Sequence, residues 1–131
     1  MARKFVSVLF LIVSLSIGLG ALGHGSQWIR HVSPQLDGVE PRVFQLLEVI
    51  WYWVSGTMLA YGVLLVWIWR SLQRGERNLA CVPWTVAVLY LVAGTWAALW
   101  LGPFFWVFTV QALLLGTCTW MLTREPARGY C

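Results

Sequence analysis

One acidic side chain of this sequence lies within a long apolar stretch, and it is the first candidate for chemistry. Glu48 comes seven residues after Pro41, and Tyr52 and Ser55 follow it at the helical spacings of four and seven. In a helix that starts near residue 43, Glu48 lies about 7 Å inside the helix end at 1.5 Å per residue. Carboxylates within a membrane are costly and often mark ion or substrate sites. Glu48, Tyr52 and Ser55 therefore form a candidate site for a lipid, a quinone or another small solute.

The same glutamate also has a purely structural interpretation. At the membrane surface its carboxylate can reach the lipid headgroups, or it can pair with Arg30 or Arg42 in the preceding connection. A Glu48 side chain that faces the other helices would favour the ligand site, and one that points outward would favour the structural role.

Gln111 is the deepest clearly polar side chain of the last apolar stretch, eight residues after Pro103. An amide in apolar surroundings needs hydrogen bonds, because leaving it unpaired costs roughly 2–7 kcal/mol. We expect Gln111 to bond across helices to Tyr90 or Ser14. Gln111 and Tyr90 are also candidates for the same ligand site as Glu48.

The two histidines, His24 and His31, are seven residues apart in a segment that also contains Asp37 and Glu40. Imidazole and carboxylate groups bind Zn or Cu, so a metal site is one interpretation and solvated interfacial histidines are the other. We expect residues 26–32 to form a short interfacial helix with Trp28 facing lipid. No other cofactor is predicted.

The remaining reactive groups give little support to an enzyme. The three cysteines, Cys81, Cys118 and Cys131, form no CxxC motif, so free thiols are expected. The sequence contains no Walker loop, nucleophile elbow, HExxH motif or Rossmann fingerprint, and nothing typical of a nucleic-acid-binding module.

The elements that position these residues follow from composition and run length. Of the 131 residues, 60% are hydrophobic and only 11% are charged. A soluble domain of this size could not bury so much apolar surface. Four stretches reach the roughly 20 residues that a bilayer core requires: about 5–23, 43–69, 82–101 and 103–122. Since the backbone in lipid must bond to itself, we predict an all-α bundle of four transmembrane helices in a single domain. Spans three and four form a tight hairpin at Gly102–Pro103, with an outer loop at 24–42 and an inner loop at 70–81.

The basic residues predict how the chain crosses the membrane. Seven of the nine fall on one side of a four-span arrangement, which the positive-inside rule places in the cytoplasm: Arg3, Lys4, Arg70, Arg74, Arg77, Arg124 and Arg128. Only Arg30 and Arg42 fall on the other side. We therefore expect a cytoplasmic (plasma) membrane protein with both termini inside. In the alternative interpretation, the first stretch is a signal peptide cleaved near Gly23.

Small residues suggest how the helices associate, because helix packing in lipid depends on close approach. Each span has small residues four or seven positions apart, which places them on one face of a helix. Examples are Ser7, Ser14 and Ala21 in the first span and Gly56 and Ala60 in the second. With so many packing residues and so little chemistry, the leading hypothesis is a non-catalytic subunit, assembly factor or scaffold. Its expected partners are the lipid bilayer and other membrane subunits or further copies of this chain.

Overall fold

The computed structural model describes residues 2–124, and this part of the chain is helical, without strands. Four helices are long and apolar enough to cross a membrane: α1 (Ala2–Gln27), α2 (Pro41–Gln73), α3 (Cys81–Trp100) and α4 (Trp106–Arg124). The expectation of an all-α chain with four such helices is confirmed. Arg128 and Cys131 lie outside the described residues.

The first connection is more helical than the sequence suggested. α1 continues to Gln27 and passes into a π-helical turn at Trp28–Val32 and a 3-10 turn at Ser33–Leu36. Only residues 37–40 separate these turns from α2, whose first residue is Pro41. With 33 residues, α2 is about 50 Å long at 1.5 Å per residue, well above the roughly 30 Å of a bilayer core.

The helices pack in the order α2, α1, α4, α3. α1 lies against both α2 and α4, α3 lies against α4, and α2 and α3 barely touch. The core between them is apolar, with Phe10 and Ile17 of α1 fully buried against Leu65 and Ile68 of α2 and Leu115 of α4. α1 is therefore the central element, while one long side of α2 is left uncovered.

Glycines allow the closest helix approaches. A Cβ atom on Gly62 of α2 would lie 2.6 Å from the backbone nitrogen of Gly18 in α1. At the α3–α4 contact, a Cβ on Gly94 would lie 2.7 Å from the Cβ of Phe108. Real Cβ atoms do not come this close to their neighbours, so both crossings require glycine.

The predicted small residues of α1 are at a helix contact, whereas those of α2 are not. Ser7, Ser14 and Ala21 are buried, but Gly56 and Ala60 are exposed. The buried face of α2 instead carries Ser55, Met58, Gly62 and Leu65, whose three- and four-residue spacing places them in one stripe. Gly56 and Ala60 belong to a different face and are not part of the packing within the described bundle.

Candidate functional site

A polar and aromatic cluster joins α1 to α2 at the end of the molecule where α1 finishes and α2 begins; we call it the His24 cluster. The His24 ring stacks on Trp51 of α2, with centroids 4.3 Å apart and planes inclined by 14°. His24 Nδ1 lies 2.9 Å from Ser55 Oγ, and the Trp51 indole donates to the His24 carbonyl over 2.8 Å. α1 reaches this position because it remains helical through Gly25.

The hydrogen bonds of Ser55 indicate which nitrogen of His24 holds the proton. Ser55 donates its single hydroxyl proton to the Trp51 carbonyl over 3.1 Å. The same oxygen must then accept the bond from His24, which makes Nδ1 the donor. In a neutral imidazole this leaves Nε2 with a lone pair available to a proton, a metal ion or a ligand.

Glu48 completes the cluster through Trp28. The Trp28 indole donates to Glu48 Oε1 over 3.2 Å, and its ring packs 5.6 Å from Phe44 and 5.9 Å from Trp51. Trp28 is only 2% exposed, so the expectation that it faces lipid was wrong. It is one heptad beyond Ala21, on the same stripe of α1 as Ser7 and Ser14, and that stripe faces α2.

A pocket of about 780 Å³ opens beside Glu48, between α2 and the segment that precedes it. It contains two carboxylate residues, Glu48 and Asp37, with Phe44 and Gln45 on the α2 side. Within residues 2–124, Glu48 has no ion pair with Arg30 or Arg42. The pocket can therefore offer negative charge and an aromatic face to a cation or a hydrogen-bond donor.

Comparisons with protein-family models, curated proteins and solved structures find no match to this chain.

The other predicted ligand residues lie apart from Glu48. Gln111 Nε2 donates to Ser16 Oγ over 3.0 Å, rather than bonding to Tyr90 or Ser14. Gln111 contacts Ser16 of α1 and Glu48 contacts Trp28, the first residue after α1; the two are twelve residues apart, or about 18 Å of helix. Glu48 and Gln111 therefore do not share one pocket.

Tyr52 and Tyr90 also have separate surroundings. Tyr52, on α2, is 43% exposed. Tyr90, on α3, lies edge-on to Phe108 with ring centroids 5.8 Å apart. Its hydroxyl and Gln111 Oε1 are buried without a hydrogen-bond partner in the described chain. Both atoms are candidates for a bound hydroxyl or water, since a polar atom buried in lipid needs a partner.

His31 does not join the His24 cluster. It is exposed, whereas His24 is half-buried. The π-helical turn between them changes the number of residues per turn, so a spacing of seven no longer returns to the same face. The described residues contain no group of three or more His, Cys, Asp or Glu side chains that could hold a metal ion.

Sequence reasoning overlooked the tryptophans as polar partners. Trp28 is expected from the sequence to face lipid, whereas in the structure it donates to Glu48 of α2, and Trp51 of α2 donates to the His24 carbonyl of α1. At the opposite end, Trp69 of α2 donates to the Ser7 carbonyl and hydroxyl of α1, over 3.0 and 2.9 Å, and Gln73 also donates to that hydroxyl. The heptad spacing of Ser7, Ser14 and Ala21 continues to residue 28, and this pattern could have predicted that Trp28 faces α2.

Proposed function

We propose that this protein is a non-catalytic scaffold subunit that assembles in the membrane through the uncovered face of α2, first with a second copy of itself. The observation that supports this most directly is the exposure of Gly56 and Ala60. Small residues at a spacing of four are the usual contact of associating transmembrane helices. In the other helices most comparable small residues are buried, although Ala93 of α3 is exposed; the buried ones include Ser14 and Ala21 in α1, Gly94 and Ala98 in α3, and Ala112 and Gly116 in α4.

The length of the α2 face favours a helix as its occupant. Two adjoining hollows run along it, of about 400 Å³ and 550 Å³, between Val49 and Trp67. Eighteen residues of helix rise about 27 Å, close to the full bilayer core, whereas a lipid chain occupies one leaflet only.

The same face is suited to pairing with itself. It has a groove at Gly56 and Ala60 and large side chains beside it, Trp53 and Val63, which are 75% and 65% exposed. In a twofold dimer the projecting side chains of one copy can enter the groove of the other, because both copies present the same surface.

Replacing Gly56 with leucine is the test. A Cβ at Gly56 meets nothing within 4 Å inside the chain, so the fold has room for the side chain while the groove is filled. We expect the wild-type protein to be dimeric in mild detergent by light scattering, and Gly56→Leu to weaken the dimer at least about tenfold, the effect of 1.4 kcal/mol lost at a packed contact.

The matched control is Gly23→Leu, since a Cβ at Gly23 of α1 also meets nothing within 4 Å. It should dimerise like the wild type. A wild-type protein that is monomeric in detergent and in vesicles, or a dimer that Gly56→Leu leaves intact, would refute assembly through α2.

We also propose that the protein lies in the plasma membrane with both termini in the cytoplasm, as seven of its nine basic residues favour. Cys81 is exposed at the start of α3, on the proposed inner side, and Cys118 is buried. With Cys131 replaced by serine, a membrane-impermeant maleimide should leave Cys81 unlabelled in intact cells and label it after permeabilisation. An added cysteine at Gln35, which is exposed, should be labelled in intact cells. Labelling of Cys81 but not of the cysteine at position 35 in intact cells would mean that the chain has the reverse orientation.

A second candidate function is binding of an organic cation in the pocket beside Glu48, which is supported by its two carboxylate residues, Glu48 and Asp37, and by Phe44. With tetraphenylphosphonium as the probe, we expect Glu48→Gln to weaken binding roughly fivefold, because one partly exposed charge contact contributes about 1 kcal/mol. Glu40→Gln is the control, since Glu40 is the neighbouring acid that does not line the pocket. Equal binding by all three proteins in equilibrium dialysis would exclude this site.

A further inference from the structure

A second surface hollow lies between α3 and α4, and we call it the α3–α4 trough. Its volume is about 400 Å³, and nine residues line it: Trp84, Ala87, Val88, Leu91, Ala112, Leu113, Gly116, Thr117 and Trp120. Gly116 forms part of its floor, because a Cβ there would already lie 3.4 Å from the Trp84 ring. The trough is therefore a groove with an apolar floor and an indole on each helix at one end.

The length of the trough differs from that of the α2 face. Its residues extend over 84–91 in α3 and 112–120 in α4, so it is about 12 Å long at 1.5 Å per residue. This is less than half of a bilayer core of about 30 Å. A transmembrane helix would need a longer groove, whereas an acyl chain of one leaflet fits this depth.

A positive charge stands at the aromatic end of the trough. The guanidinium carbon of Arg124 lies 4.2 Å from the centroid of the Trp120 ring, which is itself part of the trough wall. Arg124 therefore folds back over the indole that forms part of the trough wall. A guanidinium in this position is a donor of several hydrogen bonds suited to a phosphate group.

A hydroxyl without a partner lies within the trough below this charge. Among the Ser and Thr side chains of α3 and α4 that the structure describes, Thr117 alone makes no hydrogen bond; the others bond to a carbonyl or to each other. Thr117 precedes Trp120 by three residues, so it lies about 4.5 Å deeper along the helix. In a glycerophospholipid the ester carbonyls likewise lie one glycerol unit deeper than the phosphate.

We propose that the α3–α4 trough binds one anionic phospholipid. The acyl chain lies on Ala87, Ala112 and Gly116, Thr117 donates to an ester carbonyl, and Arg124 binds the phosphate. Basic side chains at the mouth of a groove between transmembrane helices are a recurrent way to hold acidic lipids. This site is on a different face from Gly56 and Ala60, so it does not depend on assembly through α2.

Native mass spectrometry of delipidated protein, with dioleoyl phosphatidylglycerol or phosphatidylcholine added back, is the test. We expect one retained phosphatidylglycerol on the wild type and less phosphatidylcholine. Arg124→Gln should reduce retention of phosphatidylglycerol about fivefold, the effect expected for one basic residue at a lipid phosphate. Arg70→Gln removes an exposed charge near the same end of the bundle and should leave retention unchanged.

The position of the acyl chain is tested separately. Leu113 lines the trough and is 56% exposed, so Leu113→Trp should fill the groove and abolish retention of both lipids. Leu99→Trp, at a 70% exposed position of α3 outside the trough, is the control. Equal losses in Arg124→Gln and Arg70→Gln would mean diffuse charge attraction, and retention by Leu113→Trp would place the lipid elsewhere. Either result, or displacement of the lipid by inorganic phosphate alone, overturns the proposal.

Discussion

Replacing Gly62 with alanine is expected to force α1 and α2 apart and to cost about 1–3 kcal/mol of stability or more, the range for inserting a methyl group into a packed core. The upper end applies here because the added Cβ would meet the Gly18 backbone, with the nitrogen only 2.6 Å away. A backbone cannot rotate out of the way as a side chain can. The gain in helix propensity from glycine to alanine, about 1 kcal/mol, opposes only part of this cost.

Reversible unfolding in mixed micelles, followed by circular dichroism, measures this loss. Gly23→Ala is the matched control, since the same methyl group there meets nothing within 4 Å and should be neutral or slightly stabilising. If the free energy of unfolding of Gly62→Ala were within about 0.5 kcal/mol of the wild type, the size of a typical surface substitution, the close approach of α1 and α2 would be contradicted.

The spanning helices could be predicted from the sequence because run length and charge depend on local composition alone. A stretch of about 20 uncharged residues has few alternatives in lipid, whichever neighbours it meets. The connection after α1 was harder. Helix continues to Gln27 and beyond as π and 3-10 turns because Trp28 gains buried contacts with α2 there, and such tertiary contacts are not visible in a local pattern.

The choice between Gly56 and Gly62 shows what small-residue patterns leave undecided. Both glycines are in α2, and both have small or apolar neighbours at helical spacing. Which of them touches α1 depends on the rotation of α2 about its axis, and Ser55, Met58 and Leu65 fix that rotation by their own burial. Sequence spacing alone gives the candidate pairs, whereas packing selects among them.

The candidate site could be predicted only in part, because the residue types were visible in the sequence but the packing that pairs them was not. Glu48, Ser55 and His24 were identified by type, but their partners were not: Trp28 donates to Glu48, Trp51 donates to the His24 carbonyl, and His24 bonds to Ser55. Gln111 was expected to bond to Tyr90 or Ser14, and its partner Ser16 is on a different face of α1 from Ser14. Side-chain type indicates that a partner is needed, but the helix faces determine which partner it is.

Trp28 is the single side chain whose loss should most weaken the His24 cluster. It is 2% exposed, contacts Phe44 and Trp51, and donates to Glu48. Truncating a buried tryptophan to alanine costs about 3–5 kcal/mol, and we expect Trp28→Ala to lie in this range. Trp100→Ala is the control, because Trp100 is 75% exposed and contributes little packing within the chain.

The hydrogen bond can be separated from the packing by a double-mutant cycle. Trp28→Phe keeps an aromatic ring against Phe44 but removes the indole donor, so it should cost about 1–3 kcal/mol, much of it from a carboxylate left without its partner. Glu48→Met removes the acceptor and fills a similar volume. If the two groups interact as the 3.2 Å distance implies, the double variant should be more stable than the sum of the single losses predicts, by about 0.5–3 kcal/mol. Additive losses would mean that Glu48 faces the pocket alone and that α1 is held to α2 at this end by ring packing rather than by the indole bond.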